Sequence, residues 1–348
     1  MSLRGFFLYA PRPCPPEDVE APMRRLSHLA WILLLSVGLL SACNHKPKDA
    51  PGTPGGGSPE DAMRDSLDLL RDGKFDMFWR HALPPADFAA LRADWVKRNA
   101  PTEPLDADDR AKFEAGVKRL TEPDAEKKLF ADLRPTLVRF DRDYKDQMPL
   151  LSGVGQSMAL TAIDQGKDLT ASQKRQLREA VNVVAPWTQT VPWGDQAKAK
   201  EAIGILVDTA RKANLSTPDA LHAMTFEQSM ATWSTAWMGF KRLFAVYGLS
   251  IDKSFESISI DTIENSGGSA HVKITYILLD KPIQTEATLV LLDGRWYDSD
   301  LLQGVRAEHL QLNPPAQPAP TGSAPALPAT AAPPPRTDGA PVATARPR

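Results

Sequence analysis

The sequence predicts an α+β protein, in which a large amphipathic helical region precedes a four-stranded antiparallel meander sheet. Between residues 58 and 250, apolar residues recur at spacings of three and four, which is typical of helices with one buried face. After Gly248 the apolar period changes to two, which is typical of strands. Tight-turn sequences separate the alternating segments, so consecutive strands should pair antiparallel and pack one face on the helices.

The helical region is predicted to begin with three short helices. Ser58 is a suitable N-cap, Pro59 suits the first helical position, and the following two acids suit the positive end of the helix dipole. This helix should end at Gly73. The next two carry the apolar residues Phe75, Phe78, Trp79 and then Phe88, Leu91, Trp95, ending at Pro84-Pro85 and near Pro101.

Helical spacing continues through the middle of the chain. Apolar residues from Phe113 to Leu120 and from Leu129 to Tyr144 predict two helices, with a kink or break at Pro135. We expect the glycine-rich residues 153–157 to be a loop entering a helix. Thr170 and Gln173 form a plausible capping box for the next helix. Another should run from near Asp195 to Asn214.

The longest helix is predicted to open at Thr217-Pro218 and to end at Gly248. Seven large apolar residues lie on one face of it, at steps of four and three: Phe226, Met230, Trp233, Trp237, Phe240, Phe244 and Tyr247. Such a stripe is usually buried in a core, and we favour that interpretation. The alternative is that the aromatic side chains and Met230 form the wall of a ligand site.

Four strands are predicted after this helix. The first contains Ile258, Ile260 and Thr262, and the turn 265–268 leads to the second, in which Val272, Ile274, Tyr276 and Leu278 alternate with polar residues. A turn at Asp280-Lys281-Pro282 precedes the third strand, from Ile283 to Leu291. Asp293-Gly294 is a strong hairpin signal before Arg295-Trp296-Tyr297.

The amino-terminal segment has the pattern of an export signal. Arg24 and Arg25 precede the twelve-residue apolar run Leu29–Leu40, which is too short to span a bilayer core of ~30 Å. Small residues and a cysteine follow, as Leu40-Ser41-Ala42-Cys43. Residues 23–43 closely resemble the signal of a bacterial lipoprotein precursor, with Leu40, Ser41 and Ala42 as the cleavage motif and Cys43 as the lipidated residue.

This resemblance implies a covalent lipid anchor. In that family a diacylglyceryl group joins the cysteine sulfur, the signal is cut before the cysteine, and the freed amine receives a fatty acid such as palmitate. Two or more chains hold a protein stably in a membrane. Because Asn44, not Asp, follows Cys43, we expect the outer membrane, on its periplasmic side. Translation begins at Met1 or at Met23.

The chain is therefore predicted to have five parts. They are the leader and lipoprotein signal peptide at 1–42, a disordered tether at 43–57, a helical region at 58–250, an antiparallel sheet packed on the helices at 251–312, and a disordered Pro/Ala-rich tail at 313–348. The tail is interpreted as solvated, with contact to the cell wall or to an envelope protein as the alternative.

Composition excludes several functions. Removal of residues 1–42 takes away four arginines and three acids, so 41 basic and 43 acidic residues become 37 and 40. This near-neutral balance argues against nucleic acid as a partner. Of the two cysteines, Cys14 lies in the leader and Cys43 carries the lipid, so the mature protein has no cysteine for a disulfide or for catalysis.

We find no catalytic or metal-binding signature and predict no cofactor. The histidines at positions 81, 222, 271 and 309 lie in four different elements, and no pair has metal-ligand spacing. The glycine-rich residues 153–157 lack the lysine of a phosphate-binding loop. The acids Asp293, Asp298 and Asp300 are typical of turns, although carboxylates can also bind a cation.

Two tryptophans form the one candidate recognition loop. Pro186-Trp187 and Pro192-Trp193 bracket a short connection between two predicted helices. Exposed tryptophans there could bind sugar or peptidoglycan. We favour the alternative, that Trp187 and Trp193 fold back and plug the loop, because burial of such a side chain is strongly stabilising.

The order of a long helix and then a meander resembles nuclear transport factor 2-like domains, which recur in bacterial lipoproteins. The resemblance covers residues 217–302 and ends in Leu291-Leu292-Asp293-Gly294-Arg295-Trp296-Tyr297. It carries no catalytic residue across. The main functional hypothesis is a non-enzymatic envelope lipoprotein that binds or scaffolds. The alternatives are a small-ligand carrier, with a pocket between sheet and long helix, and a hydrolase whose site is assembled from distant residues.

Overall fold

Helices and then strands follow one another along the chain as the sequence predicts. The computed structural model describes residues 49–101, 106–166 and 169–314. In these ranges the helices are α1 Pro59–Arg71, α2 Phe75–Ala82, α3 Pro85–Asn99, α4 Ala107–Thr121, α5 Ala125–Arg139, α6 Met148–Gln165, α7 Ala171–Thr190, α8 Gln196–Ala213, α9 Pro218–His222, α10 Phe226–Val246, α11 Ile251–Glu256 and α12 Ser299–Leu312. The α+β prediction, with a meander after the helices, is confirmed.

Several helices begin where side chains cap them. The Ser58 hydroxyl accepts a hydrogen bond from the Asp61 amide at 3.1 Å, as predicted for α1. The predicted capping box of Thr170 and Gln173 is present at the start of α7. A second box, formed by Thr225 and Gln228, starts α10. This second box explains why the long helix begins at Phe226 and not, as predicted, at Thr217-Pro218, which opens the separate short helix α9.

Three irregularities lie elsewhere than predicted. Helix α5 continues through Pro135, and the distortion comes later, as a π-helical turn over Phe140–Tyr144. Residues 153–157 are not a loop, because they lie inside α6. Helix α7 also continues through Pro186 and ends at Thr190, so the connection to α8 is shorter than expected.

The four strands form one antiparallel sheet in the order β1-β2-β3-β4. Their bounds are β1 Ser259–Asn265, β2 Ser269–Leu278, β3 Lys281–Leu292 and β4 Arg295–Asp298. The β3–β4 turn has positive φ at Asp293 (50°) and Gly294 (76°), which a two-residue hairpin turn requires. The predicted alternation in β2 is confirmed, since Val272, Ile274 and Tyr276 are buried while His271 is exposed.

The helices that cover the sheet differ from those expected. Helix α1 packs on β1 and β4, α11 packs on β2, and α7 runs along β3. The long helix α10 packs mainly on α8 and α2 and not on the sheet. Its predicted stripe is buried at Phe226, Met230 and Trp237, and half-buried at the other four residues.

The segment before α1 is bound to the sheet. Gly56 and Trp296 form an antiparallel bridge with two backbone hydrogen bonds of 3.0 Å. The Arg295 guanidinium donates to the Pro54 carbonyl oxygen at 2.9 Å and to the Asp49 carboxylate at 2.5 Å. The prediction of a disordered tether over 43–57 is therefore wrong for residues 49–57, because their backbone groups find partners on β4. We call residues 49–57 the strap.

Candidate functional site

The predicted lipidation site is not part of the described structure. Leu40, Ser41, Ala42 and Cys43 lie outside the described residues, as do the rest of the leader, residues 44–48 and the tail from 315 onward. Lipidation of Cys43 stays a prediction. Within the described ranges, none of the helices is both long and apolar enough to cross a bilayer.

The structure brings Trp187 and Trp193 together. Their ring centroids lie 6.3 Å apart, Trp187 stacks at 6.5 Å on Phe244, and Trp193 lies 5.3 Å from Tyr247. All four rings are half-buried. We call these four residues the aromatic cluster. It joins the end of α7 to the end of α10, which is the plugging role, and it leaves part of each ring open to solvent.

A hydrogen bond holds Trp193 in the aromatic cluster, and Tyr247 is neutral there. The Trp193 indole nitrogen donates to the Thr188 carbonyl oxygen at 2.8 Å, which ties the loop after α7 to the last turn of that helix. Burial raises the pKa of the Tyr247 hydroxyl, and the nearby Asp195 carboxylate raises it further. Tyr247 therefore stays neutral at physiological pH.

Helix α6 presents a second apolar surface, which the sequence analysis missed. Leu150, Leu151, Val154 and Met158 are 70, 47, 52 and 69 % exposed. Three of them are spaced by four residues, so they form a stripe along one side of the helix. No residue from 148 to 163 is charged. We call these four side chains the α6 face.

The α6 face points away from α7, which α6 contacts through the half-buried side chains of Ser152 and Gln156. The Ser152 hydroxyl donates to the Ala185 carbonyl oxygen at 2.7 Å, and the Gln156 amide donates to Asn182 at 2.9 Å. An ordinary surface helix would turn these groups to water and its leucines inward. Helix α6 therefore leaves an apolar stripe open to solvent.

The α6 face and the aromatic cluster lie at the same end of the helix pair α6–α7. The Thr188 hydroxyl donates to the Ser152 hydroxyl at 3.1 Å, and the carbonyl oxygen of Thr188 accepts from Trp193. Leu151 is next to Ser152 in the chain. The two surfaces therefore lie on either side of the last turn of α7.

The histidines are scattered, as the sequence analysis expects. The ring nitrogens of His81 face the carbonyl oxygens of Thr53 and Ala62, at 2.6 and 3.0 Å. His222 faces the Asn99 carbonyl oxygen at 2.7 Å, and His271 faces the Thr288 hydroxyl at 3.3 Å. Within the described ranges, no three histidine, cysteine or acidic residues are placed to bind a metal ion.

Among the acids after the last hairpin, Asp298 has a structural role as a helix cap. The Asp298 carboxylate accepts a hydrogen bond from the Leu301 amide at 2.7 Å and so begins α12. Burial raises the pKa of Asp298 to about 6, and the charge of Asp300 acts in the same direction. Asp298 also lines a small cavity of about 10 Å³ beside His81. A cavity of this size holds at most one water molecule.

A groove of about 240 Å³ separates α3 from α12. Asp87 binds Arg306 through two hydrogen bonds of 2.8 Å, and Asp94 binds His309 at 2.5 Å. Arg98 and Glu308 form an ion pair at 3.1 Å, one turn further along. These contacts join α3 to α12 across the groove, so we interpret them as the contacts that hold α12 on α3.

Side chains fill the space between the sheet and the helices that cover it. Tyr276, Ile274 and Ile283 are at most 1 % exposed where α1, α7 and α11 cover the sheet. The Tyr276 hydroxyl meets the Gln176 amide at 3.5 Å.

Comparison of the chain with protein families, with curated proteins and with solved structures gave no match.

Proposed function

We propose that this chain is a lipid-anchored lipoprotein of the bacterial cell envelope, whose folded domain is a non-enzymatic binding or scaffolding module. The anchor is Cys43, and the proposed location is the outer membrane, facing the periplasm. Its support is the ordered pattern of Arg24-Arg25, a short apolar run and Leu40-Ser41-Ala42-Cys43.

The observation that carries the binding role is the α6 face. Exposure of Leu150, Val154 and Met158 on one stripe costs free energy in water, at ~25 cal/mol per Å² of apolar surface. The helix holds these side chains outward by binding Ser152 and Gln156 to α7. A partner that covers the stripe recovers that free energy.

The partner that fits is another envelope protein with an uncharged, apolar surface. Residues 148–163 offer no charge to attract an acidic or basic partner, and a charged group covered by them would lose its water without gaining an ion pair. The aromatic cluster adds half-exposed rings at the same end, and aromatic side chains are enriched in protein interfaces.

Site-specific photo-crosslinking in cells tests this proposal. A photoreactive residue replaces Val154, which is 52 % exposed on α6, and the control replaces Val96, which is 53 % exposed on α3. We expect a discrete crosslinked envelope protein from position 154 and not from position 96. The band should disappear when Leu150 and Met158 are changed to serine.

Equal labelling from both positions, or a band that survives the two serine changes, would contradict the assignment of the α6 face.

The structure gives weaker support to the two alternative functions. For a small-ligand carrier, the space beside the sheet is occupied by Tyr276 and its neighbours. For a hydrolase, no side-chain arrangement among the described residues supports a catalytic site.

A further inference from the structure

We infer that one end of the sheet faces the lipid bilayer at close range, and that the strap sets this orientation. The inference rests on the proposed lipid anchor at Cys43. The end in question carries the β1–β2 turn at residues 266–268 and the β3–β4 turn at Asp293-Gly294. We call it the turn end of the sheet.

The turn end is where the bound part of the chain begins. Asp49 is held by Arg295, the first residue of β4, and Arg295 also donates to the carbonyl oxygens of Pro54 and Gly55 at 2.9 and 2.5 Å. The β1–β2 turn is adjacent, because the Leu291 amide donates to the Gly268 carbonyl oxygen at 3.0 Å. The antiparallel bridge at Gly56 aligns the strap with β4, and the contact of Asp49 with Arg295 places the start of the strap at the turn end.

Little chain is left between this point and the proposed anchor. Positions 43 and 49 are six residues apart, and a fully extended chain spans at most ~3.5 Å per residue, or about 20 Å in all. Without the strap, the free chain would run for fifteen residues, from Cys43 to Ser58, and would span more than twice that distance. The strap thus shortens the reach of the anchor and fixes its exit point.

The opposite end of the sheet lies much farther from the attachment point of the anchor. Strand β3 runs from the turn end at Leu292 to Lys281 and covers roughly 37 Å over eleven residue steps. This length is nearly twice the span of about 20 Å that the free chain between Cys43 and Asp49 can reach. In the orientation that the strap imposes, Lys281 therefore points away from the lipid.

This orientation also leaves the proposed binding surface accessible. Ser172, in the first turn of α7, accepts from the Glu286 amide at 3.2 Å, and Glu179 accepts from the Gln284 amide at 3.3 Å. Helix α7 thus runs toward the Lys281 end of the sheet. The aromatic cluster at its end, and the α6 face beside it, lie on the side away from the membrane.

Energy transfer from the protein to the lipid tests the inference. The mature chain has no cysteine besides Cys43, whose sulfur is acylated in the proposal, so one introduced cysteine takes a single dye. The full acylated protein is placed in phosphatidylethanolamine–phosphatidylglycerol vesicles that carry a headgroup acceptor. The dye is attached at Ser266→Cys, in the β1–β2 turn, or at the matched position Lys281→Cys, the first residue of β3 at the opposite end of the sheet; both positions are exposed.

We expect severalfold stronger transfer from position 266 than from position 281. Arg295→Ala, which removes the contacts of the strap, should reduce the difference, and so should a twenty-residue Gly-Ser insertion between Lys48 and Asp49, which leaves the strap contacts intact. The insertion keeps the test valid if the Arg295 variant does not fold.

The outcomes separate the two proposals. Acylated protein with equal transfer from both positions, or with stronger transfer from position 281, would overturn the orientation and leave the anchor standing. Protein without acyl mass that does not remain on vesicles would overturn the anchor, and the inference with it.

Discussion

Gly56 and Trp296 exchange both backbone hydrogen bonds, each 3.0 Å long, across 240 residues of sequence. A Cβ atom on Gly56 would lie 2.1 Å from the amide nitrogen of Ala62 and 2.4 Å from its Cα, so the strap can approach α1 only with glycine at this position. The bridge therefore depends on the absence of one side chain.

Gly56→Ala should release the strap. The loss of two backbone hydrogen bonds costs about 2 kcal/mol, which corresponds to roughly 30-fold faster local opening. Hydrogen exchange of the amides of residue 56 and Trp296 measures this opening, because these two amides donate the bridge hydrogen bonds. Gly57→Ala is the matched control, because its Cβ would meet nothing closer than the Asp61 carboxylate at 3.8 Å. Equal exchange in the two variants would refute the role of the bridge.

Gly239→Ala should destabilise the contact between α10 and α8. The added Cβ would lie 2.2 Å from the Thr209 hydroxyl oxygen and 2.5 Å from its methyl carbon. Overpacking of this kind costs about 1–3 kcal/mol in unfolding free energy. Chemical denaturation measures the loss, and Thr209→Ala in the same chain should restore part of it, because its Cβ would still lie 2.9 Å away.

Gly204→Ala is the control for this position. Gly204 lies within α8, and a Cβ there meets no atom within 4 Å. The change should stabilise the protein by about 0.5–1 kcal/mol, because alanine is the better helix former. A shift of Gly239→Ala and Gly204→Ala in the same direction would contradict the close contact between Gly239 of α10 and Thr209 of α8.

Lys241→Met should destabilise the protein by about 2–3 kcal/mol. The Lys241 side chain is 7 % exposed, and its ammonium group donates to the Arg71 carbonyl oxygen at 2.7 Å and to the Asp252 carboxylate at 2.5 Å. Methionine fills the space but leaves the carbonyl oxygen without its donor. Thermal unfolding measures the change.

Lys212→Met serves as the comparison, since Lys212 pairs with Asp208 at 2.9 Å while its side chain is 63 % exposed. A solvent-exposed pair of this kind contributes ~0.5 kcal/mol or less. A loss at Lys212 that matched the loss at Lys241 would show that burial is not the cause.

Asp298→Asn should change how stability depends on pH. The folded-state pKa of Asp298 is about 6, above the unfolded value of ~3.9, so the folded protein holds this proton more tightly. The free energy of unfolding of the wild type therefore falls as pH rises from 4 to 6, because the buried carboxyl must ionise. Above pH 6 the whole of this loss is present. Asparagine keeps the cap on α12 without the charge.

Relative to wild type, Asp298→Asn should gain stability between pH 4 and pH 7. We expect a gain on the order of 1–2 kcal/mol, which is less than the full shift implies because the side chain has some solvent contact. Urea unfolding at both pH values gives the difference. Parallel stability curves for the two proteins would contradict the assignment of Asp298.

The sheet was predictable because its sequence determines it locally. Alternation in β2 defines which side is buried, and Asp293-Gly294 favours the turn conformation that the last hairpin adopts. Helix caps at Ser58 and Thr170 were equally local signals. The start of α10 was misplaced because Pro218 suits a helix start and Thr225 does as well.

The candidate binding surface could not be predicted in the same way. Helix α6 contains Gly153 and Gly155 and shows no clear apolar period, because it contacts α7 through Ser152 and Gln156 while Leu150 and Leu151 face outward. The one available signal was the uncharged stretch 148–163. The strap was missed because a glycine-rich segment binds through its backbone, and composition does not report backbone contacts.

The intact mass of the protein extracted from bacterial membranes tests the central claim most directly. The account predicts a chain that begins at Cys43 and carries the added mass of a diacylglyceryl group and an amide-linked fatty acid, with Cys43→Ser losing both the added mass and the membrane association. A soluble chain without acyl mass, or a membrane-bound chain that begins at another residue, would contradict it.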